Sequence, residues 1–224
     1  MKIRFTCPPD LIDILPKPEP ARRTAPDWYK AMPMDNPVPD GGADLTIKHC
    51  MPFIDALTTG FMIPLQADIQ VKDGEFSEDW PHEESPLGLH FATQAPGVPF
   101  VDEGEVVIKA HNFWSIHTET GYATFFTHPL NRLDLPFRTL SSVVDTDSFD
   151  ALPVHSPMVW VDRDFEGTLP AGTPIAQCMP IERGRVDIQI ETMVSDEYVE
   201  AKALKNRIRD ERGFYKGHLR QDSS

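Results

Sequence analysis

Residues 143–180 read VVDTDSFDALPVHSPMVWVDRDFEGTLPAGTPIAQCMP, the densest run of strand signals, turn signals and polar residues set among apolar ones in the chain. An aliphatic pair runs into Asp145 and Asp147, a Val/Met/Trp segment follows at 154–161, and a Gly-initiated apolar stretch at 174–181 carries Gln177. Short runs of β-branched and aromatic residues bounded by Gly, Pro and Asp are the pattern of strands joined by turns. The stretch therefore predicts a β domain with polar side chains held in or near its core.

Working outward, the same alternation recurs on both sides. Residues 106–117 and 122–127 predict two strands around the turn Thr118-Glu119-Thr120-Gly121, and 137–144 leads into the central stretch. Residues 61–71 predict a strand ending at Lys72-Asp73-Gly74-Glu75, a hairpin turn leading to 76–80 or to the strand holding Leu89 and Phe91. A strand at 44–49 and a helical turn at 51–59, with Pro52 in its first turn and Gly60 as its stop, precede it. Val186 to Ile190 completes the sheet in this reading.

The ends differ from the middle. Residues 2–6 alternate as a half-buried strand stopped by Pro8-Pro9, and the Pro-rich stretch to residue 43 predicts an irregular arm that wraps the domain, anchored by Trp28 and Tyr29. At the other end Ser195 is placed to cap a helix over 196–209, with acids in its first turn and arginines in its last, followed by a basic tail through Arg220. The expected architecture is a single, mainly β domain. Residues 1–43 form the arm, 44–192 a double-sheet core of jelly-roll or β-clip type, and 193–224 the C-terminal helix and tail.

Composition narrows the partners. The 224 residues hold 35 acids against 21 bases, a formal net charge of -14. Such a surface repels nucleic-acid phosphates and anionic lipid, so neither nucleic acid nor membrane is expected as a partner. Twenty-two prolines, about twice the usual share, disfavour long helices. Cys7, Cys50 and Cys178 are widely spaced and odd in number, which suits free thiols in a reducing cytoplasm; Cys50, after His49 at the start of a helical turn, reads as a buried structural thiol. The N-terminal MKIRFTCPPD lacks the apolar run of a secretion signal, and a cytoplasmic, soluble protein is expected.

Two sets of residues carry candidate chemistry. Val143-Val144-Asp145-Thr146-Asp147, followed by Gly172-Thr173-Pro174-Ile175-Ala176-Gln177, resembles the motif pair of the trimeric dUTPase and dCTP deaminase superfamily. That resemblance implies Asp145 as the water-activating carboxylate with Asp147 beside it, a Mg²⁺-dependent nucleotide substrate, Gln177 on a strand near the nucleotide, and a homo-oligomer. Ser142 stands where that family has a glycine, and Ser148 where it has an aromatic sugar platform. Arg132 and Arg138 are the cations nearest in sequence that could hold an anionic ligand there. The whole sequence also resembles a family of uncharacterised bacterial and tailed-phage proteins, with similar stretches around 47–67, 121–129 and 144–180.

The second set is His117 and Glu119 with His128 or His155, the order of a facial triad for Fe(II) on a jelly-roll sheet. Its structural alternative is surface histidines beside a turn acid. Weighed together, each catalytic set lacks a member its chemistry needs. A binding or assembly module with a pocket or interface around Asp145, Asp147 and Gln177, for a small molecule, a nucleotide or a second copy, is the favoured expectation. The Mg²⁺-dependent hydrolase and the iron oxygenase are its alternatives.

Overall fold

A computed structural model describes residues 1–90, 107–211 and 213–220. In chain order the N-terminal part contains β1 (Arg4–Thr6), β2 (Glu19–Pro20), α1 (Asp27–Ala31), β3 (Asp35–Pro37), β4 (Ala43–Leu45), α2 (Met51–Thr58) and β5 (Phe61–Pro64). Then come β6 (Ile69–Lys72), β7 (Glu75–Glu78), β8 (Leu87–His90), β9 (Val107–Ala110), β10 (Ser115–His117) and β11 (Tyr122–Thr127). The remaining elements are β12 (Phe137–Thr139), β13 (Ser142–Val144), β14 (Ser156–Trp160), β15 (Gly167–Leu169), β16 (Pro174–Glu182) and α3 (Ser195–Asp210). Strand exceeds helix, 32% against 20%, so the protein is mainly β with a C-terminal helix.

Three sheets build the core. The largest has the order β13–β11–β16–β5–β2, the second β12–β14–β9–β8, and the third β15–β6–β7; β1–β10 and β3–β4 are separate pairs. Phe61, Ile63, Phe126, Ala176 and Cys178 of the first sheet meet Ile108, Ala110, Phe137 and Met158 of the second and Ile69, Val71 and Leu169 of the third in one buried cluster. This shared apolar interior is the main stabilising contribution, since each fully buried aliphatic or aromatic side chain contributes about 1.5–3 kcal/mol.

Several local expectations hold for clear reasons. Asp73 and Gly74 both take positive φ, 53° and 74°, and join β6 to β7 with Lys72 opposite Glu75, as a two-residue primed turn requires. Helix α2 stops at Gly60, whose φ is 75° and whose missing Cβ leaves room for a carbonyl: a Cβ there would lie 2.0 Å from the Cys178 oxygen. The three cysteines are free. Among the described residues no helix is long and apolar enough to cross a membrane.

Others are corrected. The span 61–71 is two strands, β5 and β6, and β5 is buried at every residue because it lies inside its sheet with helical turns and core on its two faces. Residues 44–49 divide into β4 and a tight turn over Ile47–His49, where the Thr46 hydroxyl accepts the Lys48 N–H. The expected hairpin of 106–117 with 122–127 does not form. β10 pairs instead with β1, with Phe5 opposite Ile116, while β11 pairs with β13 and β16. Phe91 and Val106, which those expectations included, lie outside the described residues, as does the end of the tail, 221–224. Cys50 is exposed, at the N-cap of α2, not buried.

The arm of residues 1–43 is held by Trp28 and Tyr29, which pack on Phe53 with Trp28 Nε1 donating to Asp134 at 3.3 Å, and more deeply by two leucines. Leu11 and Leu15 are buried against Phe113 and Trp114, and Trp114 Nε1 donates to the Pro16 carbonyl at 2.9 Å. Trp28 keeps 37% of its surface exposed and contacts Tyr29 and Phe53 edge-on.

The chain divides into two compact units, Met1–Arg183 and Gly184–Ser224. In the second, Val186, Ile188 and Ile190 form no strand and are 86%, 81% and 93% exposed, because alternation alone makes no strand without a ladder partner. Helix α3 begins one residue earlier than expected. Its N-cap is Val194, and the Glu197 carboxylate accepts the Val194 N–H at 3.0 Å, so an acid in the first turn does the capping assigned to Ser195. No residue of α3 is buried. After it Phe214 is buried, with the Arg207 guanidinium 4.2 Å over its ring and His218 stacked on it.

Candidate functional site

Asp145, Thr146 and Asp147 leave β13 as a tight turn. Thr146 is wholly buried, and its hydroxyl meets those of Thr124 at 2.7 Å and Thr118 at 2.9 Å. That three-hydroxyl cluster fixes the turn and sends the two flanking aspartates to the same partner, Arg183. Asp147, 6% exposed at its side chain, accepts the Gly121 N–H at 2.9 Å and a forked pair of bonds from Arg183, whose Nη1 lies 2.9 Å from Oδ1. Asp145 stands 56% exposed with Oδ1 3.1 Å from Arg183 Nη1. The Gly121 N–H and then Arg183 hold the Asp147 carboxyl below its ordinary value despite desolvation. Arg183 also donates its backbone N–H to the Gly121 carbonyl at 2.9 Å. The arrangement fastens the end of β16 to the β10–β11 turn, and both oxygens of Asp147 are engaged in it.

Gln177 is buried completely on β16. Its Oε1 accepts the Leu130 N–H at 2.9 Å, and its Nε2 donates to the Ala56 and Thr59 carbonyls, each at 2.8 Å. Those carbonyls belong to the last turn of α2 and its exit, where helix ends leave acceptors unsatisfied. One amide thus ties helix, strand and the turn after β11 together. Arg132 forks onto Asp134, with Nε 2.9 Å from Oδ1, and Arg138 donates to the carbonyls of Leu133, Leu135 and Phe137. Both arginines brace the loop 129–137.

The histidines fall in separate places. His117 joins β10 to β1: Nδ1 lies 2.9 Å from Arg4 Nη2 and 3.2 Å from Asp150 Oδ2, and Nε2 2.8 Å from the Thr6 hydroxyl. Glu119 accepts the Lys2 N–H at 3.0 Å. His128 bonds the Arg132 carbonyl through Nε2 at 2.9 Å and accepts the Thr139 N–H at Nδ1, and burial lowers its pKa. His155 accepts the Asn112 N–H, packs 4.5 Å from the His111 ring, and is lowered to about 4 by burial first and by His111 and Lys109 second. The buried His111 Nε2 has no hydrogen-bond partner and packs on Gly88, where a Cβ would come within 2.6 Å. Among the described residues no three His, Cys, Asp or Glu side chains gather to hold a metal ion.

Beside Asp145 the sheet presents a different surface. Val143, Phe125 and Met179 stand opposite one another across β13, β11 and β16, and Ile181 stands opposite Ala123 one row on. This face is opposite the one that sends Phe126 and Cys178 into the core. Val143 is 58% exposed and Ile181 38%, with Phe125 and Met179 half-buried.

Sequence reasoning missed Arg183, and the signal was present: an arginine just past the apolar strand 174–181, at a strand end where a cation can reach the acids of a neighbouring turn. The His111–Gly88 contact had no comparable signal, because Gly88 lies on β8 and His111 just past the end of β9. A scan against models of protein families finds no match to this chain, and a search of curated proteins finds none either.

Proposed function

We propose that the chain is a binding and assembly module without turnover, presenting the outer face of β13, β11 and β16, next to Asp145, Asp147 and Gln177, to a partner. In this reading the three sheets act as a scaffold of β-clip type working in the reducing cytoplasm. The observation that carries the reading is the contrast on this one sheet. Its buried polar groups, Asp147 and Gln177, are fully engaged inside the fold, while the apolar row Val143–Phe125–Met179 with Ile181 faces outward beside the half-exposed Asp145. A carboxylate that activates water needs a free lone pair aimed at the reacting centre. Asp147 has both oxygens bonded within the fold, and Asp145, the carboxylate named for that role, has Oδ1 on Arg183, whereas an exposed apolar row next to a charge is what a protein contact uses.

The test is elemental analysis of the untagged protein together with a thermal-shift panel of dUTP and dCTP with and without Mg²⁺. The expected result is no stoichiometric metal and no nucleotide-specific shift. Stoichiometric iron returns the histidine set as an oxygenase site. A Mg²⁺-dependent shift abolished by Asp145→Asn returns the hydrolase.

A further inference from the structure

The apolar stripe of α3 is a second exposed apolar surface in this chain. Val194, Tyr198, Ala201, Leu204 and Ile208 follow one another at helical spacing, and Val194, Tyr198, Leu204 and Ile208 are 62%, 60%, 38% and 45% exposed. A 16-residue helix without a covered face is marginal in water, and α3 has no buried residue at all. Lys202 and Lys205 flank the stripe. None of the acids Asp196, Glu197 and Glu200 stands three or four residues before a base, so these charges are not paired along the helix.

We infer that α3 of one copy packs its Tyr198–Leu204–Ile208 stripe on the outer face of β13, β11 and β16 of a second copy, each copy giving one helix and receiving one. This rests on the assembly reading above and names its partner. Charge points to a second copy of this chain. Residues 184–224 hold eight Lys and Arg and eight Asp and Glu, so the whole net charge of -14 lies in residues 1–183, while residues 202–220 hold seven bases against two acids. The helix itself is neutral, four bases against four acids, so it is its basic second half and the tail after it that meet an acidic body carrying Asp145 and Glu182 beside its apolar row. Area points the same way. Each copy contributes four apolar side chains from the helix and four from the sheet, whose exposed fractions leave on the order of 75 Å² each to bury. The resulting burial, about 600 Å² per copy, is at the lower end of specific interfaces.

Sedimentation velocity of the full chain from about 1 to 100 µM is expected to show a reciprocal dimer that weakens as salt is added. Val143→Glu with Ile181→Glu removes the face, and Leu204→Glu with Ile208→Glu removes the stripe. All four positions are more than a third exposed, so the charges stay in water and the melting temperature of each variant is expected to match the parent's when both are measured dilute enough to be dissociated. Each double variant alone should associate at least about tenfold more weakly. An equimolar mixture of the two should recover part of the association, because one copy still has a face and the other a stripe.

Carbodiimide cross-linking of mixed ¹⁴N and ¹⁵N wild-type protein, which needs no substitution, should join Lys202 or Lys205 of one copy to Asp145 or Glu182 of the other. A wild-type monomer over the whole range, or cross-links within single copies only, overturns the second-copy inference and leaves the assembly reading to its own metal and nucleotide test. A dimer indifferent to both double variants, or a mixture that stays apart, overturns the helix-on-sheet geometry.

Discussion

Gln177 and helix α3 solve opposite problems within 35 residues of chain. At Gln177 a polar group lies wholly inside the protein and every one of its bonds is made by backbone from two other segments, the end of α2 and the turn after β11. Along α3 apolar side chains lie in water and none is buried. Burying an unpartnered amide is costly, whereas exposing a leucine forgoes only its burial, so the first arrangement must be complete and the second can wait for a partner. The part of the sequence that looks most like chemistry thus holds elements of the fold together, and the plainer C-terminal helix leaves its apolar residues exposed.

That contrast predicts a steep gradient of sensitivity. Gln177→Glu sets a carboxylate against two carbonyls it cannot bond, and is expected to lower stability by about 3–5 kcal/mol in urea unfolding. A loss under about 1 kcal/mol would mean that the clamp is not what orders the α2 exit. Gly60→Ala comes next, at about 2–4 kcal/mol, because it drives a methyl group onto the Cys178 carbonyl and forces a positive φ on alanine.

A smaller effect belongs to pH. His155 has a folded pKa of about 4, below its ordinary 6.5, so between those values the unfolded chain binds more protons than the folded one. Stability should fall as pH drops from about 6.5 towards 4 and the His155 contribution to the slope should end below that. His128 adds to the slope with the same sign. His155→Gln, compared with wild type across that window, should flatten part of the slope, and an unchanged slope would place the pH sensitivity elsewhere. At the bottom of the scale, Leu204→Glu should change stability of the dissociated chain by less than about 0.5 kcal/mol, as an exposed position allows.

Much of the fold was legible because its causes are local. The Asp73-Gly74 turn, the stop at Gly60, the strand content of 137–182 and the terminal helix all follow from backbone preferences within a few residues. Pairing was not. β10 has the alternation that a hairpin with β11 would use, yet its partner is β1, more than a hundred residues earlier, and nothing in a strand's own sequence names its neighbour. Val186 to Ile190 shows the converse, perfect alternation with no ladder.

The site was less legible. Asp145 and Asp147 meet at Arg183, just past the end of β16, whereas Gln177 lies six residues back along that strand, opposite Thr127 and about 20 Å away. What each one bonds to depends on Arg183, Gly121, Ala56, Thr59 and Leu130, brought in from 26 to 121 positions away along the chain, distances over which residue patterns carry little information.

The Gln177 clamp has a consequence for how this protein changes over generations. The position demands one acceptor and two donors at a fixed reach, and among the twenty side chains glutamine alone supplies them: glutamate has no donor, asparagine is a methylene short, and lysine has no acceptor. Drift would leave Gln177 in place while the outer surfaces vary freely around it. A residue so fixed would be read by any later comparison of sequences as the mark of an active site, when what it preserves is the docking of a helix end on a strand.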